Sequence, residues 1–236
     1  MGEKKIGVLG GMGPEATADL YLKLIKATPA KVDQEHLRVI IESNPKIPDR
    51  TAAILQGGTD PLPLLVDTAH NLIKAGADFI IIPCNTAHYY LARLQEQCSV
   101  PILNMLAECA AWGKKYVPDL AKVGLLATKG TIATGLYHNA FRDYGVEVLI
   151  PDAAEQEQVM EVIYKVKAGC PGSQLKESLL KAAQGLLNRG VQALVLGCTE
   201  LPLVLQAGDA PVPVLDPTDI LARRAVAYAR GEEVLA

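Results

Sequence analysis

The sequence predicts an α/β chain of two similar parallel-sheet domains related by internal pseudo-symmetry. Three observations carry that expectation: short apolar runs alternate with helical stretches, the order of the runs repeats once, and each copy contains a cysteine at the end of a strand. The first copy holds Ile6-Gly-Val-Leu-Gly10, Leu37-Arg-Val-Ile-Ile-Glu42, Phe79-Ile-Ile-Ile82 and Ile102-Leu-Asn104. The second holds Lys122-Val-Gly-Leu-Leu-Ala127, Val146-Glu-Val-Leu-Ile150, Ala193-Leu-Val-Leu-Gly197 and Val212-Pro-Val-Leu-Asp216. Intervening segments carry apolar residues at helical spacing, as in Leu20, Leu24, Ile25 and Leu64, Leu65, Thr68, Leu72. Val8 and Cys84 are separated by nearly the same stretch as Leu125 and Cys198, so the register hardly slips between copies.

The boundary is expected near Glu108 to Asp119, where Trp112-Gly-Lys-Lys-Tyr-Val-Pro118 interrupts the pattern. That gives a first domain over residues 1–108 and a second over 109–216. Thr218 to Val234 reads as a helix capped by Thr218, with Asp219 in its first turn; the tail, about 217–236, is expected to pack back on the first domain. Ligands of open parallel sheets bind beyond the carboxyl ends of the strands, where both cysteines fall, so the active site is expected in a cleft between the domains.

Composition narrows the partners. Among 236 residues half are apolar, 21% are charged and the net charge is −3, which gives no nucleic-acid footprint and favours a small-molecule ligand. The longest apolar runs are strand-sized, too short for a membrane span. The N-terminus enters a strand without a signal-peptide apolar region, and Ile6 stands where a myristoylation signal wants Ser or Thr. Five cysteines without a C-x-x-C pair argue against a disulfide framework or a zinc ribbon, so a reducing, cytoplasmic setting is expected.

Cys84, in Pro83-Cys-Asn85-Thr86-Ala-His88, and Cys198, in Gly197-Cys-Thr199-Glu200, each meet a polar turn. If those turns open helices, their amides favour an anion and lower the thiol pKa, making each cysteine an acid or a base near neutrality. Any single cysteine is more often a small buried apolar residue; the repetition is what points to chemistry. His88 lies one helical turn after Cys84, compatible with a Cys/His dyad or half a metal site, but Cys198 has no such partner, so His88 is expected to line or cap the site.

Gly10-Gly-Met12-Gly13-Pro-Glu-Ala16 contains G-x-G-x-x-A after the first strand, with Glu42 ending the second, so a dinucleotide-binding oxidoreductase is an alternative. Pro14 is unusual inside such a turn, and more plainly the glycines let the backbone approach some anionic ligand. Arg50 closes a proline-stiffened loop, Asn44 to Thr51, that suits carboxylate binding or is simply a solvated surface loop. Thr128 and Thr131 offer hydroxyl and amide donors in the second copy. Lys167 reads as a second cation for a dicarboxylate or, more plainly, as a helix C-terminal lysine. Cys98, Cys109 and Cys170 are read as structural, and Asn104 and Asp216 as orienting nearby loops.

Together, Gly10-Gly-Met-Gly-Pro14, Glu42-Ser-Asn-Pro-Lys-Ile-Pro-Asp-Arg50, Pro83-Cys-Asn-Thr-Ala-His88, Leu126-Ala-Thr-Lys-Gly-Thr131 and Gly197-Cys-Thr-Glu-Leu-Pro202 resemble the aspartate/glutamate racemase family, most closely its aspartate-specific members, essentially end to end. The resemblance implies two similar α/β domains, no cofactor, and Cys84 and Cys198 as paired catalytic bases, Cys84 serving the D enantiomer and Cys198 the L. It further implies that Asn85, Thr86 and Thr199 hold the α-carboxylate and amino group, and that Arg50 and Lys167 hold a side-chain carboxylate, with Met12, Thr128 and Thr131 completing the substrate site. Two thiolates facing one substrate would repel, so the pair should titrate as a coupled system. The expected ligand is a dicarboxylic amino acid and the expected assembly a homodimer. Glutamate or broad-range racemisation and dicarboxylate isomerisation are alternatives on the same fold, and a non-catalytic dicarboxylate-binding protein is one outside catalysis.

Overall fold

The computed structural model describes residues 2–232, so residues 233–236 of the expected terminal segment lie outside it. The chain divides into two compact units, one running to Met105 and resuming at Thr218, the other spanning Leu106–Pro217. In the first unit β1 (Ile6–Gly10), α1 (Pro14–Ala27), β2 (Val39–Ser43), α2 (Arg50–Gln56), α3 (Leu62–Lys74), β3 (Phe79–Ile81) and α4 (Leu91–Gln95) follow one another. The strands form a parallel sheet in the order β2-β1-β3. Crossover helices make such a sheet parallel, and β1 is apolar throughout because it is buried along its whole length.

The second unit comprises α5 (Met105–Tyr116), whose first residue still belongs to the first unit, then β4 (Lys122–Ala127), α6 (Lys129–Ala133), α7 (Leu136–Arg142), β5 (Glu147–Leu149), α8 (Ala153–Lys167), α9 (Lys176–Asn188), β6 (Ala193–Gly197) and β7 (Val214–Leu215). Its sheet is also parallel, ordered β5-β4-β6-β7, so its first three strands, β5-β4-β6, repeat the β2-β1-β3 arrangement of the first unit. The likeness seen in sequence is therefore a likeness of topology. Among the described residues no helix is long and apolar enough to cross a membrane.

Three expectations need correction. The strand expected at Ile102 to Asn104 is a single parallel bridge, Ile80 to Ile102, supported by bonds from Ile80 N–H to the Pro101 carbonyl and from Leu103 N–H to the Ile80 carbonyl, each 2.9 Å. Pro101 has no N–H to extend the ladder, and α5 begins at Met105. The segment around Trp112 that looked like an interruption is that helix, in which Trp112 and Tyr116 pack ring to ring, 4.3 Å between centroids. The terminal helix, α10 (Pro217–Ala229), starts with Pro217, so Thr218 lies inside the first turn instead of capping it; proline is favoured at that position because its missing N–H would be unpaired anyway. α10 is held to the first unit by an edge-on contact of Tyr228 with Phe79, 4.8 Å between centroids, and a bond from Lys4 N–H to the Ala229 carbonyl.

Close packing explains the glycine that precedes Cys198. A Cβ on Gly197 would sit 2.6 Å from Leu125 Cδ1 and 2.9 Å from the Ala127 Cβ; the leucine end can turn, but the alanine methyl is fixed to the neighbouring strand. Gly197→Ala is expected to lower unfolding stability by about 1–3 kcal/mol, read as a reduced midpoint in urea, because overpacking a filled core forces strands apart.

Candidate active site

In the first unit the candidate residues collect at the carboxyl ends of the strands. Gly11 lies at φ +93° with Asn44 backbone atoms 2.4 Å from where its Cβ would be, and its N–H donates to Thr17 Oγ1 at 2.8 Å. A Cβ on Gly10 would lie 2.3 Å from Thr17 Cγ2. These glycines are thus required by contacts within the protein, which removes the need for a pyrophosphate to explain them. Met12, Ile47, Cys84, Ala87 and Tyr90 share one buried apolar cluster.

Arg50 is not on a solvated loop. It is the first residue of α2, buried, with Nη1 donating to the carbonyls of Ile47 at 3.3 Å and Pro48 at 3.0 Å. Asp49 caps that helix by accepting from Ala52 N–H at 2.7 Å. α2, which Arg50 opens, packs against the turn Thr86–Tyr90 that follows Cys84.

That segment opens as a tight 3-10 turn, Thr86–Tyr90, not as the α-helix expected from spacing. Cys84, Asn85 and Thr86 are buried, and Cys84 N–H donates to the Ile82 carbonyl at 2.8 Å. His88 is turned to the backbone: Nδ1 lies 2.9 Å from the Cys84 carbonyl oxygen, and Nε2 accepts from Met105 N–H at 3.2 Å. A carbonyl can only accept, so Nδ1 carries the proton and Nε2 is the lone-pair nitrogen. Burial lowers the His88 pKa to about 4, although the carbonyls of Cys84 and Leu103 favour the charged ring. The amino end of α5 likewise disfavours a cation there.

In the second unit Thr128 caps α6: it accepts from Thr131 N–H at 3.1 Å, and the two hydroxyls are 3.0 Å apart. Gln156 of α8 donates to the Ala127 carbonyl at 2.9 Å, pinning the end of β4 beside this cap. Ala127 pairs with Gly197, which places Thr128 next to Cys198 across neighbouring strand ends. Thr199 is buried directly after that cysteine.

Cys198 departs most from expectation. Its thiol donates to Glu200 Oε2 at 2.9 Å, the carboxylate is 4% exposed, and Lys167 Nζ lies 3.8 Å from Glu200 Oε1. Burial first, and then the Glu200 charge, push the Cys198 thiol well above its ordinary range, with Lys167 opposing. The expected lowering by a helix start fails because only a three-residue 3-10 turn, Leu201–Leu203, follows. Glu200 is the candidate site residue that sequence reasoning passed over. Its signal was present, an acidic residue two places after a strand-end cysteine, but charge alone does not reveal a buried side chain. Tyr137, fully buried, packs behind this strand end, its Cε2 3.2 Å from where a Gly197 Cβ would be.

Each unit therefore gathers its own candidates: Met12, Arg50, Cys84, Asn85 and Thr86 in one, and Thr128, Thr131, Lys167, Cys198 and Thr199 in the other. The model of a family described as Asp/Glu/Hydantoin racemase matches residues 9–225. The chain belongs to that family. Within this racemase family it is 28% identical to a broad specificity amino-acid racemase of Bacillus subtilis over 229 residues, covering 94% of this chain and 96% of the relative. An aspartate racemase of Picrophilus torridus matches in structure with TM-score 0.85 and 33% identity, over 96% of this chain and 94% of the other. An aspartate racemase homologue from Pyrococcus horikoshii matches with TM-score 0.75 and 28% identity, over 96% and 99%. The racemase match takes in both cysteine motifs, Arg50 and Lys167.

Proposed function

We propose that this chain is an amino-acid racemase that interconverts L- and D-aspartate without a cofactor, using Cys84 and Cys198 as its two acid/base groups. The observation that carries the proposal is the pair of buried free thiols at corresponding strand ends, one already hydrogen-bonded to a buried carboxylate. Support for aspartate comes from the Picrophilus relative and from Arg50 and Lys167, which offer a cation in each unit for a second carboxylate.

In this mechanism the thiolate of one cysteine removes the α-proton, leaving the electron pair on the α-carbon and its carboxylate. The thiol of the other then delivers its proton to the opposite face and becomes the thiolate. No atom is gained or lost, but the protonation pattern of the two sulfurs is reversed after each turnover. Cys198 rests as a thiol and is ready to donate. To act as base it must first release its proton, and Glu200 is the acceptor within reach. Asn85, Thr86 and Thr199, all buried at the strand ends, supply fixed dipoles for the carboxylate on which charge develops.

The relative from Bacillus subtilis favours a second reading, a racemase of broad range. Incubating the purified protein with single enantiomers of aspartate, glutamate and neutral amino acids, followed by chiral chromatography, decides between the two. Aspartate is expected to racemise fastest. Comparable rates with neutral amino acids would establish the broad-range reading, and no turnover of any would remove both.

A further inference from the structure

The catalytic scheme above leaves His88 unused, although it is a buried titratable side chain four residues from a proposed catalytic cysteine. Its two nitrogens face two different stretches of backbone. Nδ1–H holds the carbonyl of Cys84 itself at 2.9 Å, and Nε2 accepts from Met105 N–H at 3.2 Å. Met105 opens the twelve-residue helix α5, so its N–H has no partner within that helix, and it is also the last residue of the first unit before the chain crosses at Leu106. One rigid five-membered ring therefore does two jobs: it caps α5 and fixes the peptide that carries the Cys84 side chain.

We propose that His88 is a positioning residue for Cys84: its neutral imidazole is a fixed strut between the Cys84 carbonyl and the crossover at Met105, setting where the thiol stands without exchanging protons with substrate. The inference rests on the two-cysteine mechanism and adds to it a residue that serves only one of the two bases. Only neutral imidazole does this, since the strut needs a donor on one side of the ring and a lone pair on the other. The second unit has no counterpart at Glu200, which reaches its cysteine through the thiol and not through the backbone. The two halves thus share a topology while holding their cysteines differently.

A partial reaction separates the two bases. When a β-chloro substrate such as 3-chloroaspartate loses its α-proton to a thiolate, the carbon electron pair forms a double bond to the β-carbon. Chloride leaves, and water converts the resulting enamine to oxaloacetate and ammonium. That elimination needs one base, so each enantiomer reports on one cysteine. His88→Ala is expected to slow elimination from the enantiomer that Cys84 serves by about 100-fold, the usual consequence of displacing a reacting group by an ångström, with the other enantiomer within about twofold of wild type. His88→Asn, whose amide can still donate to the Cys84 carbonyl, is expected to recover part of the loss, and the KM for aspartate is expected to move by less than about threefold, as befits a displaced base. Equal losses for both enantiomers, or no loss, would overturn the proposal. Nitrogen-15 NMR of imidazole-labelled wild-type protein provides an arm independent of folding in the variants and of activity. A His88 ring protonated on Nδ1 and bare on Nε2 at pH 7 is expected, and the opposite tautomer or an imidazolium would overturn the strut. Wild-type protein that neither racemises aspartate nor eliminates chloride, with the NMR result as expected, would instead sink the racemase mechanism while leaving the strut in place.

Discussion

Cys84→Ser and Cys198→Ser are each expected to lower aspartate racemisation by at least about 1,000-fold, since a serine hydroxyl is far too weak an acid to exchange a proton with carbon near neutrality. Each variant is nonetheless expected to keep elimination from one enantiomer of 3-chloroaspartate, and the two variants are expected to keep opposite enantiomers. If Cys198 serves the L form, Cys84→Ser retains elimination from the L substrate and Cys198→Ser from the D. Chiral chromatography measures the first quantity and oxaloacetate release the second. One variant that loses elimination from both enantiomers while the other loses it from neither would mean that one cysteine does all the proton removal. Variants that racemise at the wild-type rate would remove the cysteines from the mechanism.

Glu200→Gln carries the second large effect. Glutamine keeps the volume of the buried side chain but cannot take the Cys198 proton, so kcat/KM is expected to fall by about 100-fold. The fall must be equal for L- and D-aspartate, because enantiomers have equal free energy and an enzyme cannot change that ratio. The asymmetry appears instead in elimination, which is expected to be lost for the enantiomer that Cys198 serves and kept for the other. The pH profile gives an independent sign. The Glu200 charge raises the Cys198 pKa, so removing it lowers that pKa, and the limb of the profile due to Cys198 ionisation is expected to move to lower pH. A limb that moves upward would show that Glu200 does not act on the thiol through its charge.

The sheets were legible in sequence because their strands are buried on both faces and read as unbroken apolar runs, as in β1 and β6. Ile102 to Asn104 has the same apolar look, but a proline on one side and a helix start on the other leave room for one bridge only. Cys84 and Cys198 could be picked out because repetition marks them. Their surroundings could not: spacing on a helix suggested that His88 shares a face with Cys84, whereas the 3-10 turn sends its ring to the Cys84 carbonyl and the Met105 amide. Arg50 was recognisable as a cation, but its burial against its own loop carbonyls depends on the packing of α2, which local sequence does not encode. Glu200 escaped for the same reason, since whether an acidic side chain points to solvent or to a thiol two residues away is decided by the tertiary fold.

The family match and the strand-end thiols leave one central claim to test, that protons move between sulfur and the α-carbon of aspartate. The direct measurement is incubation of the purified protein with L-aspartate in heavy water, following α-deuterium by proton NMR and D-aspartate by chiral chromatography. The two-cysteine mechanism predicts that D-aspartate appears carrying deuterium at the α-carbon, while the remaining L-aspartate takes up deuterium more slowly early in the reaction, because the returning proton comes from the opposite face. Recovery of L-aspartate with no D form and no deuterium would contradict it.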